Sequence, residues 1–146
     1  MGRGKENRFQ KEKIIRDKLI NFMATIDNLR IAFAGESQAN RKYVAFAMKA
    51  MEEGKPEIAQ IFLEAAGAET AHAINHFKVL GGVKSTKENL KEAAEGETYE
   101  IENMYPKFIK EAEEEGAKDA VESFKIAMER EKHHQEMFKK VLEEIK

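Results

Sequence analysis

Apolar residues recur three and four positions apart along most of the 146-residue chain, and runs of β-branched residues are missing. That spacing is the period of one helical face. Gly54-Lys55-Pro56, Gly81-Gly82 and Gly116 interrupt it, so the pattern predicts four long helices. The first runs from about Asp27 to Glu53 and reverses over Gly54 and Lys55. The second has Pro56 in its first turn, where a missing N–H costs nothing, and stops at Gly81-Gly82. Ser85 or Thr86 can cap the third helix, with Glu88 or Asn89 in its first turn, and Gly116 separates it from a fourth that reaches the C-terminus. Pro106 falls inside the third helix and should kink it or open one backbone bond. Two hairpins result, over residues 27–80 and 86–146, and the expected fold class is an all-α four-helix bundle.

The apolar stripes of these helices are broken by acids. The first reads Ala32, Glu36, Ala39, Tyr43, Ala47, Ala50, and the second Ile58, Ile61, Phe62, Ala65, Glu69, His72, His76. The third reads Leu90, Ala93, Glu97, Glu100, Met104, Phe108, Ala112, and the fourth Ala120, Phe124, Ala127, Glu131, His134, Phe138, Val141, Ile145. Each hairpin carries a Glu or a Glu pair on its first helix and a Glu-x-x-His on its second, as a duplicated helix pair would. Five carboxylates facing a core need neutralisation, and two divalent metal ions are the simplest means.

The donor types narrow the metal. Carboxylates are hard oxygen ligands able to bridge two ions about 3.5–4 Å apart, and one imidazole per ion favours iron, manganese or zinc over magnesium or calcium. Five carboxylates against two ferrous ions leave a charge of −1, and two ferric ions with a bridging oxide leave the same −1. The site can change oxidation state at constant buried charge, which points to redox chemistry with oxygen or peroxide. Spacing alone is weak evidence here. Glu is so abundant that a Glu-x-x-His arises easily by chance; the four stripes interrupted at equivalent depth carry the argument.

Composition excludes several other classes. The net charge of −2 argues against nucleic-acid binding, which needs a basic excess on one face. No apolar run approaches the length of a membrane span and the N-terminus lacks the core of a secretory signal, so a cytoplasmic location is expected. Zero cysteines exclude disulfides, thiol catalysis and a four-cysteine iron site within this chain.

At the acid-bearing positions the chain resembles the rubrerythrin family of the ferritin-like superfamily. The resemblance covers about residues 27–146. It rests on Ala34-Gly35-Glu36-Ser37-Gln38-Ala39-Asn40-Arg41, Glu69-Thr70-Ala71-His72, Gly96-Glu97-Thr98-Tyr99-Glu100, Met104-Tyr105-Pro106 and Glu131-Lys132-His133-His134. It implies two non-haem irons with an oxo or hydroxo bridge, or manganese or zinc in their place, held by Glu36, Glu69, His72, Glu97, Glu100, Glu131 and His134. It implies peroxidase chemistry, hydrogen peroxide reduced to water in oxidative-stress defence, with His72 and Glu100 exchanging as ligands to one iron. Glu100 separates this reading from the alternative, a ferritin-like ferroxidase or iron-handling protein, because ferroxidase sites do not carry that carboxylate beside two Glu-x-x-His pairs. Tyr43 and Tyr105 correspond to tyrosines that hold ligand carboxylates through their hydroxyls. The histidines His76 and His133 are expected off the metals, and Met48, Met51, Met104, Met128 and Met137 are expected to fill the core.

The chain departs from the family pattern in two respects. Typical members add a rubredoxin domain with four cysteines, so this one is expected to be a rubredoxin-lacking, sulerythrin-like member taking electrons from an external donor such as a free rubredoxin, with peroxide or dioxygen as oxidant. The second departure is the connection between the second and third helices. In a ferritin-like bundle these run parallel, and their helical ends separate the chain by roughly 30 Å. The five steps from Gly81 to Thr86 span only ~18 Å. A domain-swapped homodimer is therefore expected, residues 27–80 of one chain completing a bundle with 86–146 of the other. Residues 1–26 form a basic extension outside the resemblance. Ile15, Leu19, Phe22, Met23 and Ile26 share a helical face there that can pack on the bundle or between subunits.

Overall fold

In the computed structural model the backbone is described from Arg3 to Ile145 and the side chains from Lys13 to Ile145. The basic side chains Arg3, Lys5, Arg8 and Lys11 of the extension lie outside the described residues. Five α-helices follow in order: α1 (Arg3–Glu52), α2 (Pro56–Val79), α3 (Thr86–Tyr99), α4 (Tyr105–Glu115) and α5 (Lys118–Glu144), with a π-helical turn over Glu100–Met104 joining α3 to α4. No strand occurs among the described residues, and no helix is long and apolar enough to cross a membrane. The chain divides into two compact units, residues 1–83 and 84–146.

The first unit is the α1–α2 hairpin. Helix α1 begins far before Asp27, because residues 3–26 contain neither proline nor an unfavourable β-branched run and continue the same turn pattern. Its 50 residues give a rod of roughly 75 Å. Gly54, at φ 70°, lets the chain reverse, and Pro56 opens α2 as expected. Small residues form the seam: Ala47, Ala50 and Ala59 are buried against Phe62, with Ala66 and Ala73 further along α2. Alanines bring the two backbones close, so carboxylates on adjacent faces of α1 and α2 converge. A stacked Phe33–Phe77 pair, centroids 4.9 Å apart, closes the far end.

In the second unit Ser85 caps α3 through a full capping box with Glu88, and α3, α4 and the π turn pack along α5. The kink expected at Pro106 takes a specific form. The π turn widens the helix by bonding the Tyr105 N–H to the Glu100 carbonyl five residues back, just where the proline ring would crowd an α-helical carbonyl. Gly116, left-handed at φ 73°, ends α4.

Neither unit has a large core. Among the described residues no large side chain is fully buried; Ile31, Ile58, Ile61 and Ile126 are exposed, as are Ile15, Leu19, Phe22 and Met23 on the extension. The core role expected of the methionines fails for Met48, Met51 and Met137, which are exposed: the hairpin seams are filled by alanines too short to enclose them.

Candidate metal centre

Each unit gathers one acid–acid–imidazole group. In the first, Glu36 of α1 meets Glu69 and His72 of α2; in the second, Glu97 of α3 meets Glu131 and His134 of α5. Within each group one ligand atom per residue lies within 4.8 Å of the others. The Glu-x-x-His spacing acts locally, placing residues i and i+3 on neighbouring turns. His72 Nδ1 lies 3.1 Å from Glu69 Oε2, and His134 Nδ1 lies 2.7 Å from Glu131 Oε2 and 3.9 Å from Glu97 Oε1.

The electrostatics record crowded acids. Glu36 is held above the usual carboxylate range, first by its hydrogen bond with Glu69, whereas Glu69 is held below it by the same bond and by His72. The bond thus drives the two carboxyls apart in acidity, Glu36 upward and Glu69 downward. Glu97 is pushed up to about 7, chiefly by burial and then by Glu131. Its Oε2 is buried without a hydrogen-bond partner. An acceptor stranded in this way costs free energy unless a cation meets it, and the surrounding oxygen and imidazole donors suit a borderline divalent metal. The residues present therefore fit the metal reading.

Glu100 stands apart from the three-residue groups. It opens the π turn, and its pKa is raised by burial and by the charge of Glu131. Tyr105, at the other end of that turn, is raised by burial and by Glu100, Glu131 and Glu97, so it keeps its phenolic proton among the acids. Tyr43 packs between Phe46 and Phe62. Among the described residues neither tyrosine hydroxyl bonds a carboxylate, so the holding role expected of them is not seen. His76 is close enough to Glu36 for its charge to be felt there, and His133 is exposed beside His134.

The pattern of residues 27–142 matches the family model for rubrerythrin. The chain belongs to the rubrerythrin family. This rubrerythrin-family chain is 37% identical over 138 residues to Rubrerythrin-1 of Clostridium acetobutylicum, covering 83% of itself and 71% of that protein. It is 36% identical over 148 residues to the rubrerythrin of Porphyromonas gingivalis, covering 92% of itself and 74% of that protein. Among solved structures it is similar to a fully reduced, all-ferrous nigerythrin, with 35% identity, a TM-score of 0.42, and coverage of 82% of this chain and 66% of that one. It thus spans slightly less than two thirds of nigerythrin. Family membership places it among ferritin-like, all-helical, iron-binding proteins.

Sequence reasoning passed over two side-chain pairs beside the acids, Asn40 with Thr70 and Thr98 with Gln135. The available signal was positional. An amide follows Glu36 and Glu131 by four residues, and a threonine follows Glu69 and Glu97 by one.

Proposed function

We propose that the chain is a non-haem di-iron peroxidase that reduces hydrogen peroxide to water in oxidative-stress defence, with electrons from an external donor such as a rubredoxin. The observation that carries this reading is the pair of Glu–Glu–His groups together with a fifth carboxylate, Glu100, beside Glu131. When bound, two ferrous ions supply the two electrons that, with two protons, convert one peroxide to two waters. Glu36, Glu69, His72, Glu97, Glu131 and His134 would hold the ions, and Glu100 would alternate with His72 as a ligand. Tyr105 keeps its O–H beside these acids and can orient a carboxylate or pass a proton to the bound substrate.

The centre forms in a homodimer in which α1 and α2 of one chain meet α3 to α5 of the other. The connection supports this arrangement. The N–H groups of Leu80, Gly81 and Gly82 bond back to His76, Lys78 and Phe77, and Lys84 is tied to Asn89. Little chain is left to extend. Aligning His72 with Glu97 on parallel helices would separate Val79 from Thr86 by roughly 27 Å, while that stretch spans at most ~24 Å even if every one of those bonds broke.

The test is to load the protein anaerobically with ferrous iron and add stoichiometric peroxide. Rapid oxidation at one peroxide per two irons is expected, lost in Glu100→Ala with metal retained. Faster oxidation by dioxygen would favour a ferroxidase and overturn the reading.

A further inference from the structure

Two hydrogen bonds between helices recur in the two units with the same relation to the acids. Asn40 Nδ2 donates to Thr70 Oγ1 at 2.7 Å, and Gln135 Nε2 donates to Thr98 Oγ1 at 2.7 Å. In both units the threonine hydroxyl donates in turn to the carbonyl four residues earlier, Ala66 at 3.0 Å and Ala94 at 2.7 Å. Each hydroxyl therefore has one fixed donor and one fixed acceptor.

Asn40 is the one buried polar residue among those described; it also donates to the Ala66 carbonyl at 2.6 Å and accepts from Arg41 Nε at 2.9 Å. The arrangement is not a by-product of the Glu-x-x-His repeat. In the first unit the amide sits on the first helix of the hairpin and the threonine on the Glu-x-x-His helix; in the second unit the assignment is reversed. What is common is an amide one turn after one glutamate meeting a threonine directly after the other.

From this geometry we propose that the Asn40–Thr70 and Thr98–Gln135 pairs are clasps that fix the axial register of Glu36 against Glu69 and of Glu97 against Glu131. The seams they cross are lined by alanines, which resist sliding poorly. A slip of one residue moves one carboxylate about 1.5 Å along the axis. That is enough to break a 2.7 Å bond and to spoil a group whose donor atoms must converge within 4.8 Å. The clasps are positioning residues: they touch neither substrate nor metal and act through the glutamates.

This inference rests on the metal reading, and its test separates the two. Manganese(II) is titrated into wild type, Thr98→Val, Thr70→Val and the hydroxyl-retaining Thr98→Ser and Thr70→Ser, and the electron paramagnetic resonance spectrum is followed for the signature of an exchange-coupled manganese pair. Thermal unfolding of the metal-free proteins reports folding separately. Wild type and the serine variants are expected to show the coupled pair. The valine variants should fold but bind at least about tenfold more weakly, with isolated-ion spectra, in the range typical of lost support behind a metal ligand. A coupled wild-type signal unchanged in both valine variants would overturn the clasps alone, as would serine variants as defective as valine. A wild type that takes up no coupled pair would overturn the metal reading and this inference with it.

Discussion

His134 aims its Nδ1 at Glu131 Oε2 across 2.7 Å, the same relation that sets His72 3.1 Å from Glu69. Each imidazole is therefore engaged by the acid it would share a metal with. A proton occupies one position that a cation would take: Glu97, near 7, holds one about half of the time at neutral pH, and Glu36 is shifted in the same direction by Glu69. Metal uptake should expel such protons. Titrating ferrous or manganese ions into weakly buffered protein at pH 7 is expected to release protons, fewer in Glu97→Gln. Uptake with no acidification would contradict the charge arrangement.

The same acids give the metal-free protein an unusual pH dependence. Glu97 titrates near 4.5 when unfolded and near 7 when folded, so the folded state binds the proton more tightly. The stability from that proton is complete below about 4.5 and is lost as pH rises through 7, a change of up to about 3 kcal/mol. Glu36 and Glu100 shift in the same direction. Urea unfolding of the metal-free protein should therefore show greater stability at pH 5 than at pH 7.5. Glu97→Gln should flatten that slope, and bound metal should abolish it.

Glu88 titrates in the opposite sense. Hydrogen bonds from Ser85 hold it below its ordinary value, so its contribution is present above about 4.5 and is lost as pH falls through its lower folded value. Ser85→Ala removes the α3 cap and should cost about 1 kcal/mol at neutral pH. Chemical denaturation measures it. An unchanged midpoint would mean that α3 is held by packing alone.

The helices were legible because their punctuation is chemical. Gly54-Lys55-Pro56, Gly81-Gly82, Ser85 with Glu88, and Gly116 each mark an end through a backbone requirement that few other residues meet. The acids of each group were legible because carboxylates on apolar stripes are costly. Three features were not. The start of α1 was hidden because a helix may run on past its packing partner with no change in local sequence. The π turn at Glu100–Met104 was hidden because proline signals a disturbance but not its form. The amide–threonine pairs were hidden because polar residues beside acids look like solvated surface until two helices bring them together.

Gly82 gives a further prediction. A Cβ there would collide with the Phe77 ring, which is stacked on Phe33. Gly82→Ala must displace Phe77 and open the end of the α1–α2 seam, a loss expected at about 1–3 kcal/mol for overpacking. A melting temperature unchanged from wild type would show that Phe77 moves freely.

The last prediction concerns which chain owns which ligand. Glu36→Ala disables the first unit of a chain and Glu131→Ala the second, so either variant alone should lack a complete centre. In a swapped dimer of one chain of each kind, one centre joins two damaged units and the other joins two intact ones. Co-expressing the variants under different affinity tags and isolating the mixed dimer should therefore restore one coupled metal pair per dimer, with peroxide consumption to match. If each centre were built within one chain, both would remain damaged and nothing would be restored. The outcome depends on connectivity alone, because the same side chains are present in either arrangement.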